Sequence, residues 1–116
     1  MKILTTIWIV LVMLGFNGCS KSMGSLEVIN QSGEKIISGN IKVCNSNLNI
    51  PELQKDEKIN FKFELCGDDH YRTSIRLASG NLIQQEVGYV SSVSHLVDSI
   101  FVKANSIEYK NKEVKY

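Results

Sequence analysis

The chain has 116 residues, a formal net charge of +1, and 22% charged against 43% hydrophobic side chains. That length supports one small domain and little more. The near-balance of charge excludes a general field that would draw nucleic acid or an anionic surface to it.

Met1-Lys2 is followed by an uncharged run from Ile3 to Phe16, and then by Asn17, Gly18 and Cys19. A short positive start, an apolar core and a small residue before a cut define a secretory signal, here expected as a helix. The run is too short to span a bilayer, which takes about 20 apolar residues. With a cysteine directly after the small residue, this leader resembles a bacterial lipoprotein signal, although Phe16 stands where that family usually has Leu. The resemblance covers residues 1–19 only. It implies cleavage between Gly18 and Cys19, a diacylglyceryl group on the Cys19 sulfur and, in many bacteria, a further acyl chain on the new amino group. Several chains at one point hold a protein firmly to a membrane. Ser20 rather than Asp after the cysteine implies, for a Gram-negative source, the outer membrane facing the periplasm.

The expected organisation is a signal peptide over residues 1–18 and the lipidated cysteine with a Ser- and Gly-containing tether over residues 19–25. A β domain follows over residues 26–110, and a polar tail over residues 111–116. Leu26, Val28 and Asn30 begin a strand, Gln31 to Glu34 turn, and Lys35 to Ile37 resume it. Glycine inside a strand usually marks a break or bulge, which Ser38-Gly39-Asn40 would supply. Ile41 to Cys44 make the next strand. Asn45 to Leu53, with the only proline, Pro51, reads as a connection between sheets.

Lys58 to Leu65 is the clearest strand, with Ile59, Phe61, Phe63 and Leu65 alternating with polar neighbours. After Gly67-Asp68-Asp69, the residues Tyr71, Thr73, Ile75 and Leu77 alternate in the same way, so the two segments read as a β-hairpin. Leu82 to Val90 is interrupted by Gly88. Leu96 to Ala104 closes the set, with Ile107 to Tyr109 as an added edge. About seven short strands without a convincing helix predict an all-β domain, a small antiparallel β-sandwich or open barrel.

With Cys19 committed to lipid, Cys44 and Cys66 remain, and a pair in a small exported domain suggests a disulfide; two separate thiols are the alternative. The wide spacing argues against a metal site, and no cofactor is expected. Asp68, Asp69 and His70, with Asp98 or His95 as helpers, are the best acid–base cluster. They are better explained as turn and strand-end residues. Gly-x-Ser-x-Gly and glycine-rich phosphate loops are absent from the sequence, so an enzyme is not expected.

Three residues are singled out for partner contact. In Val87-Gly88-Tyr89-Val90, Gly88 would allow another backbone to come close and Tyr89 offers a large amphipathic surface; the alternative is a bulge with Tyr89 in the core. Arg72 and Arg76 project from one strand face. With Lys62 or Lys58 on a neighbouring strand they would form a basic strip for an acidic partner, or simply keep the face wet. The functional expectation is a lipid-anchored, non-catalytic envelope protein that binds a protein partner, one form being an inhibitor or immunity protein. A structural or assembly accessory of an envelope complex, or a small-ligand or metal carrier, are the alternatives. Nucleic acid is not an expected partner.

Overall fold

The computed structural model describes residues 22–116; the leader, Gly18 and Cys19 lie outside the described residues. Eight strands form: β1 Met23–Asn30, β2 Ile36–Val43, β3 Ser46–Ile50, β4 Lys58–Glu64, β5 Asp69–Leu77, β6 Leu82–Val90, β7 His95–Val102 and β8 Ile107–Lys115. They make two four-stranded sheets, ordered β4-β1-β7-β8 and β3-β2-β5-β6. The fold is therefore an all-β sandwich. Its pairs are antiparallel except β1 with β7, which run parallel.

Period-two alternation decides which side chains go inside. On β4, Phe63 is buried and Ile59 and Phe61 pack on the core, while Lys58, Asn60, Lys62 and Glu64 face water. On β5, Tyr71, Thr73, Ile75 and Leu77 are buried. Leu26, Val28, Ile100 and Val102 answer them from the other sheet. Burying such side chains is the main favourable term, at roughly 1.5–3 kcal/mol each.

Four expectations are corrected. Asn45 to Leu53 is not only a connection: Ser46–Ile50 pairs with β2 as a strand, because Leu48 and Ile50 alternate with outward Asn47 and Asn49. β4 and β5 are not a hairpin; they belong to opposite sheets. The chain needs both amphipathic segments to bury the same core from two sides. The domain opens at Met23 rather than Leu26, since Met23 already pairs with Glu64 and His95. It closes at Lys115 rather than residue 110, because Lys115 pairs with His95.

The pairing also sorts the connections. Ser22, residues 44–45, residues 65–68, residues 91–94 and Tyr116 share one end, here the entry end. Residues 31–35, 51–57, 78–81 and 103–106 form the far end. At the far end, buried Asn30 ties three segments. Its side-chain NH₂ donates to the carbonyls of Glu34, Leu53 and Gln54, and its Oδ1 accepts from Ser32.

Candidate functional site

At the entry end, Cys44 and Cys66 form a disulfide that links the end of β2 to the segment after β4, and so joins the two sheets. Both cysteines sit at strand ends, as their sequence positions suggest. Cys44 takes φ 54°, a left-handed conformation that non-glycine residues rarely adopt. Its backbone N–H donates to Asp69 Oδ2 at 2.6 Å, which helps hold that turn. Arg72 donates to the same carboxylate at 2.8 and 3.5 Å. The Arg72 hydrogen bond holds the Asp69 carboxyl down to about 2, with burial opposing it. Cys44, Cys66 and Asp69 lie close enough to share a metal ion, but both sulfurs are committed to each other.

The two arginines singled out from sequence thus have different situations. Arg72 is engaged with Asp69 at the disulfide corner. The Arg76 side chain is exposed and, among the described residues, makes no hydrogen bond or ion pair. The basic strip with Lys58 and Lys62 does not form, because those lysines lie on β4 in the opposite sheet. Lys42 on β2 stands opposite Arg72 instead. The outward face of β3-β2-β5-β6 carries Asn47, Asn49, Asn40, Lys42, Ser74, Arg76 and Gln84. Asn40 donates to both Asn47 and Asn49. A shallow hollow of about 300 Å³ opens there, lined by Ser38, Gly39, Asn40, Ser74, Arg76 and Leu82.

The third singled-out residue, Tyr89, is 53% exposed beside a bulge. Gly88 takes φ +75°, and a Cβ on it would lie 2.7 Å from the Tyr109 ring. The space above Gly88 is therefore filled by the protein's own Tyr109, which corrects the expectation that another backbone would approach there. The Tyr89 hydroxyl bonds Asp68, which raises its pKa.

Beneath this bulge lies a network that sequence reasoning missed. Asp98 is fully buried and accepts from Tyr71 at 2.7 Å, Tyr109 at 3.0 Å and Asn111 at 2.7 Å. Burial and the Asp98 partner push the Tyr71 phenol far above its ordinary range, and burial pushes Tyr109 up to about 12. Asp98 thus turns inward instead of joining Asp68, Asp69 and His70. The available signal was the polar pair Asp98-Ser99 inside an apolar run. His70 faces the Gly88 carbonyl and Glu86, and His95 faces Glu113, so the two histidines work on separate strands.

No family model matches the chain, and no curated protein matches it. Among solved structures, the chain is similar to a protein from Eubacterium rectale studied by NMR. That match has a TM-score of 0.61, 13% identity, and covers 80% of this chain and 93% of that one. A putative cell adhesion protein from Bacteroides ovatus matches at TM-score 0.48 and 10% identity, over 82% of this chain and 44% of its own. A non-hemolytic pneumolysin from Streptococcus pneumoniae matches at 0.45 and 11%, over 84% of this chain and 25% of its own. The first likeness defines the class as a shared β-sandwich fold, and at such identity it speaks to fold alone.

Proposed function

We propose that this is a lipid-anchored, non-catalytic envelope protein, which holds a protein partner against the outward face of β3-β2-β5-β6. The observation that carries the partner reading is Arg76, an exposed guanidinium with no internal partner among the described residues, at the rim of a polar hollow. A guanidinium offers a planar fork of donors suited to a carboxylate. The anchor reading rests on the sequence Gly18-Cys19, and the disulfide is compatible with an exported protein. An inhibitor or immunity protein is one form of such a binder. For a Gram-negative source the location is the outer membrane facing the periplasm.

The test uses residues 20–116 as bait in envelope extracts, beside an Arg76→Glu bait. Enrichment of one exported enzyme that is lost with Arg76→Glu supports the binder. Enrichment of a membrane complex supports the accessory reading instead. Equal recovery by both baits, or none by either, overturns this face as the partner surface. The anchor is tested by Cys19→Ala, which should abolish lipid labelling; undiminished labelling overturns that assignment.

A further inference from the structure

We infer that the entry end of the sandwich rests on the phospholipid bilayer through a rim made by Met23, Tyr89 and Tyr116. The inference rests on the proposed lipidation of Cys19. Between Cys19 and Met23 stand only Ser20, Lys21 and Ser22, because β1 opens earlier than the sequence suggests. Fully stretched, that link reaches about 14 Å. β1 itself carries the chain roughly 26 Å from the entry end to the far end. The link is thus shorter than the domain, and the entry end stays beside the membrane.

The surface at that end suits the place. Met23 is 41%, Tyr89 53% and Tyr116 95% exposed, so three of the large apolar side chains left in water gather there. Tyr89 and Tyr116 line one cleft between β6 and β8, and His70 packs edge-on to Tyr89. Tyrosine has an apolar ring and a polar tip, the combination found at membrane–water boundaries. The charge of this end is mixed: Glu64, Asp68 and Glu113 share it with Lys115. The contact is therefore interfacial rather than an electrostatic dock on anionic lipid, and salt leaves it unchanged. The competing geometry lays the domain on its side, with exposed Ile37 of β2 and Leu82 of β6 against the lipid.

The chain lacks tryptophan after Trp8, so a single substitution adds a single reporter. With Cys44 and Cys66 bonded, Cys19 is the remaining thiol. Residues 19–116 are coupled through Cys19 to a maleimide phospholipid in phosphatidylcholine vesicles carrying nitroxide-labelled headgroups. Tyr89→Trp, Tyr116→Trp, Leu82→Trp and Asn81→Trp are compared, each checked for unchanged thermal unfolding. Quenching about twofold or more greater at 89 and 116 than at 81 and 82, and unaltered by salt, is expected for a rim held at headgroup depth. Equal quenching at all four positions overturns the inference. So does the strongest quenching at 82. The coupled chain carries its lipid whatever cells do, and the mass of the Cys19 peptide from cells tests lipidation separately.

Discussion

Asp98→Asn is the most discriminating perturbation of the core. Asparagine has nearly the same shape as aspartate, so no cavity opens and the change isolates hydrogen bonding. In the native protein both carboxylate oxygens accept, Oδ2 from Tyr71 and Oδ1 from Tyr109 and Asn111. The substituted amide would keep one acceptor oxygen and present an NH₂ to the donor or donors on the other side. A buried donor left without its acceptor costs about 1–3 kcal/mol, and bonds to a charged acceptor lose about 1 kcal/mol each when it becomes neutral. With one donor orphaned and two bonds weakened, the sum is roughly 3–5 kcal/mol, a large share of the roughly 5–15 kcal/mol typical of a folded domain. At about 4–8 °C per kcal/mol, melting should fall by roughly 12–40 °C in calorimetry. Tyr71→Phe should cost less alone and add little on top of Asp98→Asn, because both act on one bond. A melting point within about 3 °C of the parent would refute the reasoning, since no buried network of that cost could then exist.

Reducing the Cys44–Cys66 bond opens a loop of sequence separation 22 and should lower stability by about 3 kcal/mol in urea titrations with and without reductant; coincident midpoints would contradict it. Arg72→Gln should return the Asp69 carboxyl from about 2 towards 3.8 in an NMR titration. Because that folded-state value is depressed, the stability it contributes is present above pH 3.8 and lost as pH falls towards 2. Tyr109 has the opposite sign. Its raised value keeps stability intact below pH 10, and unfolding should become easier as pH rises from 10 towards 12, seen as a falling urea midpoint. Gly88→Ala and Gly33→Ala both force alanine into positive φ, at about 1–2 kcal/mol each. Only at Gly88 would the new Cβ also strike Tyr109, so its melting point should fall distinctly further.

Much of the sandwich could be read from alternation alone. The buried sets Phe63 on β4 and Tyr71, Ile75 and Leu77 on β5 follow directly from period two, because one face must leave water. The strand Ser46–Ile50 and the last part of β8, Asn111 to Lys115, were harder. Their asparagines and lysines look like loop and tail, and only pairing with β2 and β7 makes them strands. Arg76 was legible as an outward charge, whereas its difference from Arg72 depends on where Asp69 lies. Asp98 was illegible as a network hub. Its partners Tyr71 and Asn111 lie 27 and 13 residues away, and alternation along β7 puts Asp98 on the inward face with Leu96, Ile100 and Val102 without showing what it meets there.

The mistaken hairpin shows where local reading fails. β4 and β5 are adjacent in sequence, both amphipathic, and separated by a short turn-rich segment, so each local signal favours pairing them. A sandwich instead needs facing layers, and a short connection can cross between them as readily as it can turn within one. The disulfide is the one sequence feature that spans this ambiguity. Cys66 follows β4 closely and bonds Cys44 at the end of β2, so the chain at residue 66 has already reached the opposite sheet. Asp69, at the start of β5, then accepts from the Cys44 backbone, and Arg72 locks it there. The crossing that removes the hairpin is thus the same feature that engages Arg72. It leaves Arg76, further along β5, as the guanidinium open to a partner.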